Sequence, residues 1–150
     1  MMIRKAKISD ITEIHKLINH FAGQDKMLPR SLSELYENTR DFLVCDKKGN
    51  ISGCIALHMF WEGLAEIKCL AVWEPRQKKG IGRRLIKNAL KEAKRLEIEK
   101  VFALTYEVEF FKKYGFKEVN KSELPHKIWS ECIKCPKFPN CDETAMTIEL

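Results

Sequence analysis

The spacing of apolar residues along this chain changes several times between the period of a helix and the short runs typical of strands. Residues 11–21 and 81–96 carry apolar side chains at every third or fourth position, which predicts two amphipathic helices. The other apolar runs are short and rich in β-branched and aromatic residues, which predicts strands. The predicted strands are residues 2–7, 42–46, 51–60, 64–72, 100–104, 116–119 and 144–150. This alternation predicts an α/β fold.

Capping signals mark the beginning of the first two helices. Asp10 precedes the first apolar helical position and is followed three residues later by Glu13, which is the spacing of a capping box. Ser31 and Glu34 repeat this spacing before a second, shorter helix. In such a box each of the two side chains accepts a hydrogen bond from a backbone N–H at the helix start. We therefore expect two reciprocal capping boxes.

Length and composition predict one globular domain. The chain has 150 residues, 45% hydrophobic and 32% charged, which is enough to bury a core without disulfides. No linker or repeat interrupts it, so we expect a single domain over residues 1–150, with an irregular segment containing Cys and Pro at 120–143. No apolar run approaches the roughly 20 residues of a membrane span, and the N-terminus does not read as a signal peptide. We therefore expect a cytoplasmic protein without a membrane partner.

The net charge of +6 is scattered along the chain except at residues 76–84, where basic residues surround two glycines. This distribution argues against nucleic acid and favours a small anionic ligand. The segment follows a predicted strand and opens the long helix, so its N–H groups can converge on an anion at the positive end of the helix dipole. An ordinary strand-to-helix turn is the alternative. The predicted anion site consists of Gln77, Lys78, Lys79, Gly80, Ile81, Gly82 and Arg83.

The loop matches neither GxxxxGK[ST] nor GxGxxG, but its QxxGxG pattern resembles the acetyl-CoA pyrophosphate loop of the GNAT acetyltransferase superfamily. The stretches IRKAKISDITEI, LAV and FFKKYGF are similar to other parts of that family. MLPRSLSELYENTRDFLV, AEIKCLAV and LPHKIWSECIKCPKFPNCDETAM resemble stand-alone amino-acid N-acetyltransferases related to the acetyltransferase domain of N-acetylglutamate synthase. The resemblance implies a GNAT fold, with a mixed, mostly antiparallel, splayed central sheet flanked by helices.

The resemblance also implies acetyl-CoA as the cofactor. In the GNAT fold the strand ending in Leu70, Ala71 and Val72 splays from its neighbour and offers its backbone to the cofactor. Phe110 would pack against the cofactor. The implied reaction is acetyl transfer to the α-amine of a small amino acid, with L-glutamate favoured, in arginine biosynthesis. The alternatives are another amine (a different amino acid, a polyamine or a protein amine) and a non-catalytic acyl-CoA-binding module. A homodimer is the candidate assembly.

Acetyl transfer to an amine needs a base, because the amine must lose a proton. Glu66 lies four residues before Leu70 on the same predicted strand, and in an element of period two these residues share a face. Glu66 is therefore the predicted catalytic base, with a solvated strand-edge glutamate as the alternative. Lys68 shares this face and would bind a substrate carboxylate or stabilise the charged form of Glu66.

The general acid is an open question in this chain. Many GNAT enzymes protonate the CoA thiolate with a tyrosine in an FYxxxGF pattern, and here Phe111 takes the place of that tyrosine. Tyr114 follows three residues later on a predicted helix and need not face the thiol. Water is the remaining candidate, because a thiol has an ordinary pKa of only about 8.5.

Arg30 is the residue that we predict to bind the acceptor. It precedes the second helix in a segment that covers the acceptor pocket in the GNAT fold. A planar guanidinium binds a carboxylate through two parallel hydrogen bonds, which suits an amino acid as acceptor. A solvated loop arginine is the alternative. Lys127 lies where related synthases place basic residues near the acceptor.

The cysteines fall into two groups. Cys45, Cys54 and Cys69 each lie in an apolar strand-like run and are expected to be small buried hydrophobic residues. The C-terminal group could supply a Cys3His zinc site, but the spacing of its histidine is unusual and it contains only one CxxC. Reduced thiols in a Pro-rich loop are the preferred interpretation, so we expect no metal. The zinc candidates are His126, Cys132, Cys135 and Cys141. The remaining histidines, His15, His20 and His58, are expected to have no specific partners.

Overall fold

The computed structural model describes residues 1–77, 79–124 and 143–150. Seven strands form one sheet in the order β1-β2-β3-β4-β5-β7-β6, in which β4 and β5 are parallel and the pairs β1–β2, β2–β3, β5–β7 and β6–β7 are antiparallel. The strands are β1 Met2–Lys5, β2 Phe42–Lys47, β3 Asn50–Trp61, β4 Leu64–Val72, β5 Lys100–Thr105, β6 Lys117–Val119 and β7 Thr144–Glu149. The helices are α1 Ile11–Ala22, α2 Leu32–Glu37, α3 Ile81–Arg95 and α4 Val108–Lys113. The predicted α/β class and element order are confirmed.

Contacts between residues divide the chain into two compact units. The first unit contains residues 1–58 and 67–92, and the second contains residues 59–66 and 93–150. The backbone of β4 passes from the second unit into the first between Glu66 and Ile67. The single domain over the whole chain stays a prediction. In the described part of the chain, no helix combines the length and the apolar character that a membrane crossing requires.

The core of the first unit forms around one face of α1. The five apolar residues predicted for this face are buried, and they pack against side chains from β2, β3 and β4. The helix contributes Ile11, Ile14, Leu17, Ile18 and Phe21 to this core. Cys45, Cys54 and Cys69 are buried, reduced cysteines, as expected for small hydrophobic residues.

The C-terminal end of α3 corrects one prediction about its apolar face. Leu96 was expected on this face, but it lies one residue beyond the helix and is 39% exposed. Glu97 adopts a left-handed φ of 65°, and the N–H of Ile98 donates to the carbonyl of Ala93 at 2.9 Å. These features are those of a Schellman motif, which redirects the chain at the helix end. Ile98 is therefore buried in place of Leu96.

The two predicted capping boxes differ in outcome. Ser31 does cap α2, because its Oγ accepts a hydrogen bond from the N–H of Glu34 at 3.1 Å. The reciprocal half of this box is not formed, since the carboxylate of Glu34 accepts from Arg30 Nη1 at 2.8 Å instead. The box of Asp10 and Glu13 is wrong, since Asp10 makes no side-chain cap to α1. Its carboxylate instead accepts a hydrogen bond from the N–H of Lys7 at 2.7 Å and pairs with Arg4. A buried carboxylate is stabilised more by a guanidinium than by another backbone N–H, because the guanidinium carries a charge opposite to that of the carboxylate.

The second unit has its own core, in which Leu64, Phe102, Leu124 and Ala145 are buried together. The antiparallel pairing of β7 with both β5 and β6 builds the sheet behind this core. After α4, Gly115 adopts a φ of 94°, which a side chain would disfavour. The helix α4 accordingly ends at Lys113, with Tyr114 as its C-cap, directly before this glycine.

Arg4 joins β1 to two carboxylates of the first unit. Its Nη1 and Nη2 donate to the two oxygens of Asp10 at 2.7 and 3.0 Å, and its Nε donates to Asp46 at 3.0 Å. The hydrogen bonds from Arg4 hold the pKa of Asp10 below its ordinary value of 3.8, although burial opposes this shift. The ionised form of Asp10 therefore stabilises the folded state above that pH, and the contribution is lost as the pH falls through the lowered value.

We expect Asp10→Asn to lower the free energy of unfolding by about 1.5–3 kcal/mol at neutral pH, because a charge-assisted pair is lost. The difference from the unchanged protein should shrink below about pH 4, where the native carboxylate also becomes protonated. Urea unfolding between about pH 7 and pH 3 measures both effects. Asp25→Asn, on an exposed turn, is the matched control. A difference that stays constant with pH would contradict the assignment.

Candidate functional site

The segment between β4 and α3 is shaped by Gly80. This residue has a left-handed φ of 79°, and, apart from Gly80 itself and its chain neighbours, no heavy atom of the described residues lies within 4 Å of the position that a Cβ would occupy. Its carbonyl accepts a hydrogen bond from the N–H of Arg84 at 3.0 Å, so Gly80 is the residue from which α3 starts. The N–H groups of Ile81, Gly82 and Arg83 lie in the first helical turn, where no carbonyl of the helix can reach them. Such groups at a positive helix end attract an anion.

Gln77 holds the beginning of this segment. Its side-chain Nε2 donates to the carbonyl of Val72 at 2.9 Å, and its backbone N–H donates to the carbonyl of Glu74 at 3.1 Å. These two hydrogen bonds fold residues 72–77 into a compact turn between the end of β4 and the loop that contains Gly80, here called the glycine loop. Lys79 and Arg83 are exposed beside it, whereas Ile81 is buried and can meet a ligand only through its backbone. Lys78 lies outside the described residues.

Gly53 on β3 allows α3 to pack closely on the sheet. A Cβ at this position would lie 3.1 Å from the carbonyl oxygen of Ala71, from Ile81 Cγ2 and from Leu85 Cδ1. These contacts are tighter than nine in ten real Cβ contacts, so a side chain here would require its neighbours to shift by a few tenths of an ångström. The first turn of α3 is thereby fixed against the end of β4 within the first unit.

The strand β4 departs from regular geometry along its length. Its parallel pairing with β5 covers Leu64–Glu66 in the described part of the chain, although β4 itself continues to Val72. Cys69 has a φ of 56°, which is rare for a residue with a side chain. Burial nevertheless alternates with a period of two from Ile67 to Val72, since Ile67, Cys69 and Ala71 are buried and Lys68, Leu70 and Val72 are half-buried. That Glu66 and Leu70 share a face of the strand stays a prediction.

The unusual backbone of Cys69 has a partner on the neighbouring strand. The thiol of Cys54 on β3 donates to the carbonyl oxygen of Cys69, with a sulfur-to-oxygen distance of 3.3 Å. Burial raises the pKa of the Cys54 thiol, so that it stays protonated and keeps the hydrogen that it donates. Because Leu70, Ala71 and Val72 follow Cys69 directly, this contact helps to fix the backbone of all three predicted cofactor residues.

Glu66 and Lys68 lie on either side of the boundary between the two units. Glu66 belongs to the second unit and is only 7% exposed, so the alternative of a solvated strand-edge glutamate does not describe it. It also has an interaction partner. Lys68 belongs to the first unit and is half-buried.

Arg30 is held in place before α2 by two side chains. Asn19 of α1 binds both backbone groups of Arg30, with its Nδ2 donating to the carbonyl at 3.0 Å and its Oδ1 accepting from the N–H at 3.2 Å. The guanidinium Nη1 donates to Glu34 Oε1 at 2.8 Å, and the side chain is 18% exposed. A solvated loop arginine is therefore not what the structure contains. Lys127 lies outside the described residues.

The family model of the acetyltransferase (GNAT) family matches residues 8–116, which is more than half of the chain. The chain belongs to the GNAT acetyltransferase family. The protein is an N-acetyltransferase that uses acetyl-CoA, so the alternative of a non-catalytic binding module does not hold. The predicted fold class is confirmed by the same match and by the solved structures described next.

Two curated relatives resemble the acetyltransferase over most of its length. An uncharacterized N-acetyltransferase of Chlorobaculum tepidum is 42% identical over 144 residues, which cover 96% of this chain and 93% of that protein. The amino-acid acetyltransferase of Mycobacterium tuberculosis is 35% identical over 136 residues, covering 89% of this chain and 78% of the relative.

Two solved structures resemble the acetyltransferase closely in fold. A Mycobacterium tuberculosis protein in complex with CoA superimposes with a TM-score of 0.88 at 30% identity, over 100% of this chain and 99% of that one. N-acetylglutamate synthase from Neisseria gonorrhoeae, complexed with coenzyme A and N-acetyl-glutamate, gives a TM-score of 0.91 at 30% identity. This match covers 99% of the acetyltransferase and 35% of the synthase chain.

Two histidines that were expected to have no specific partners do have them. His20 Nε2 is paired with Glu74 Oε1, and Gln24 Nε2 donates to the same oxygen at 3.5 Å. His58 Nδ1 is paired with Asp41 Oδ2 at 2.6 Å. The hydrogen bond from His20 lowers the pKa of Glu74. His20 and Glu74 are 54 residues apart in the chain, so no local pattern signals this pair.

The aromatic residues of α4 belong to the second unit. Phe111 is 4% exposed and packs edge-on against Phe110 and Phe116, at centroid distances of 5.4 and 5.0 Å. Phe110 is half-buried and also contacts the ring of Tyr114 at 5.0 Å. The position that carries a tyrosine in many GNAT enzymes therefore holds a core side chain here.

Metal binding receives no support from the described residues. Within residues 1–77, 79–124 and 143–150, no group of three or more His, Cys, Asp or Glu side chains is arranged to hold a metal ion. The four residues that we considered for zinc, His126, Cys132, Cys135 and Cys141, lie outside this part of the chain.

We expect Gly53→Ala to lower the free energy of unfolding by about 1–3 kcal/mol, because the added methyl group forces α3 and the Ala71 carbonyl apart. The affinity for acetyl-CoA should fall as well, since the start of α3 would move relative to β4. Gly23→Ala is the matched control, because its Cβ would meet its nearest atoms at an ordinary 3.5 Å. Urea unfolding and calorimetric titration with acetyl-CoA measure the two effects. Unchanged binding by a folded Gly53→Ala variant would argue against this role of the packing.

Proposed function

We propose that this acetyltransferase transfers the acetyl group of acetyl-CoA to the α-amine of a small amino acid, with L-glutamate as the favoured acceptor. The observation that carries the proposal is the placement of Arg30 in the first unit: Asn19 holds its backbone, and Glu34 pairs with its guanidinium. The names of the relatives, amino-acid acetyltransferase and N-acetylglutamate synthase, support the same acceptor class. Arginine biosynthesis in the cytoplasm is the proposed setting, and a homodimer is the proposed assembly.

In this proposal the cofactor is bound mainly by backbone groups. Leu70, Ala71 and Val72 would offer their N–H and C=O groups to its amides, and Phe110 would pack against it. The N–H groups of residues 80–83 would bind its diphosphate, together with the positive charges of Lys78, Lys79 and Arg83. The open space beside Gly80 is compatible with a phosphate there. When bound, acetyl-CoA supplies an acetyl group that is activated as a thioester.

The acceptor is recognised in this proposal by charge and geometry. A guanidinium carries five N–H donors in a fixed plane, and Glu34 receives a hydrogen bond from one nitrogen of Arg30. A carboxylate of the amino acid would bind in the plane of the Arg30 guanidinium. The backbone of Arg30 would already be fixed before the acceptor binds. Lys68 and Lys127 are proposed to add positive charge on the acceptor side. A polyamine would instead require acidic residues at this position.

Glu66 is proposed to accept the proton of the amine. At neutral pH an amino acid carries an ammonium group, which cannot attack a carbonyl until it loses a proton. The carboxylate of Glu66 would take this proton directly or through water, which leaves a neutral amine. Phe111 offers no acidic hydrogen at the place of the usual tyrosine, so water is proposed to protonate the departing thiolate.

We expect Arg30→Ala to raise the KM for glutamate roughly thirtyfold and to leave the affinity for acetyl-CoA unchanged, because a charge-assisted pair is worth about 2 kcal/mol. Arg30→Lys should recover only part of the loss, since the ammonium keeps the charge without the planar fork. The exposed Arg40 provides the matched control, as Arg40→Ala. Release of CoA thiol measures each rate.

A panel of acceptors decides between the candidate substrates. Glutamate, glutamine, other amino acids, a polyamine and a peptide N-terminus are compared with the same thiol assay. Equal effects of Arg30→Ala on glutamate and glutamine indicate that Arg30 binds the α-carboxylate, and a smaller effect on glutamine indicates the side-chain carboxylate. Turnover with the polyamine or the peptide alone would refute the proposal of an amino-acid acceptor.

We expect Glu66→Gln to lower kcat by about two to four orders of magnitude at neutral pH, because an amide cannot accept the proton. Acetyl-CoA affinity should stay near that of the unchanged enzyme. Raising the pH should restore part of the rate, as more of the amine is then neutral. Glu62→Gln, at the exposed β3–β4 turn, is the control. A rate that is unaffected at every pH would remove Glu66 from the mechanism.

A further inference from the structure

The last turn of α1 contacts both loops on which the proposed function depends. Asn19 faces the segment before α2, and its amide forms two hydrogen bonds with the backbone of Arg30. The same Nδ2 donates to the carbonyl of His15 at 2.9 Å, which ties the amide to its own helix. Since both backbone groups of Arg30 are engaged, the start of this side chain is fixed in position and direction.

The next residue along the helix contacts the other loop. His20 is paired with the carboxylate of Glu74, and its ring lies against Trp73 at a centroid distance of 5.0 Å. Gln24, one turn later, donates to the same carboxylate. Glu74 in turn provides the carbonyl that accepts the N–H of Gln77, where the glycine loop begins. The beginning of the cofactor loop is therefore attached to α1 through His20.

We infer that Asn19 and His20 are positioning residues with separate tasks: Asn19 orients Arg30 for the acceptor, and His20 fixes the loop that binds the cofactor. The inference about Asn19 rests on the proposed role of Arg30, whereas that about His20 requires only binding of acetyl-CoA. Neither side chain needs to touch a ligand. Each acts through hydrogen bonds to a segment that does, so loss of either should impair one ligand and spare the other.

The chain offers a matched control for each residue. Asn88 of α3 donates to the carbonyl of Arg84 at 2.7 Å, the same bond that Asn19 makes to His15, but among the described residues it makes no further hydrogen bond to a loop. His15 lies on α1 one turn before Asn19 and is half-buried. Asn88→Ala and His15→Ala therefore remove similar side chains without removing a described contact to either loop.

The experiment compares Asn19→Ala and His20→Ala with these controls, using the KM for glutamate, kcat and the Kd for acetyl-CoA. Loss of two neutral hydrogen bonds by Asn19→Ala should raise the KM for glutamate about tenfold, with the Kd for acetyl-CoA changed less than about twofold. His20→Ala should raise the Kd for acetyl-CoA about fivefold and spare the KM for glutamate. Asn19→Asp, which keeps the oxygen that accepts from Arg30 but loses the donor, should give an intermediate KM.

Several results would overturn the inference. Equal losses for both ligands in both variants would mean that the two residues only stabilise the fold. A glutamate KM that Arg30→Ala raises and Asn19→Ala leaves unchanged would refute the role of Asn19. If Arg30→Ala itself leaves the KM for glutamate unchanged, the proposed acceptor site is wrong, and the proposed role of Asn19 is wrong as well. The Kd for acetyl-CoA then still tests His20 independently.

Discussion

The close approach of α3 to the sheet at Gly53 is the constraint on which the cofactor side of the first unit depends. Because this glycine has no side chain, the Ala71 carbonyl and the side chains of Ile81 and Leu85 can lie 3.1 Å from the place that its Cβ would occupy. A helix dipole acts on an anion only within about one turn of the helix end, so small displacements of that end matter. The packing therefore decides where the free N–H groups of the first turn lie relative to the end of β4.

The strand β4 shows how a fold can prepare backbone groups for a ligand. A residue in the left-handed region within a strand is energetically unfavourable and persists only where its surroundings support it. Around Cys69 this support comes from the buried thiol of Cys54, which donates a hydrogen bond to the Cys69 carbonyl and whose pKa is raised further by burial. A thiol is a weak donor, but it is small enough to fit between two paired strands and the core.

Helix α1 supports both loops of the proposed site, the segment that contains Arg30 and the segment between β4 and α3. Helix α1 buries one face in the core and uses the polar residues of its last turn for contacts to neighbouring segments. Side chains that bind a ligand need such support, since an arginine has many rotamers and loses entropy when it is fixed. Asn19 and Glu34 restrict Arg30 before any acceptor is present, so less of that entropy remains to be lost on binding.

The sequence by itself determined the elements whose formation depends on local preferences. The period of α1, the turn at Lys48 and Gly49 with positive φ at both residues, and the left-handed Gly80 before α3 follow from side-chain spacing and from glycine. Only the tertiary structure decided which partners the polar side chains take, as Asp10 and His20 show. A carboxylate or an imidazole has several acceptable partners within reach, and packing of distant segments selects the one that lies at hydrogen-bond distance.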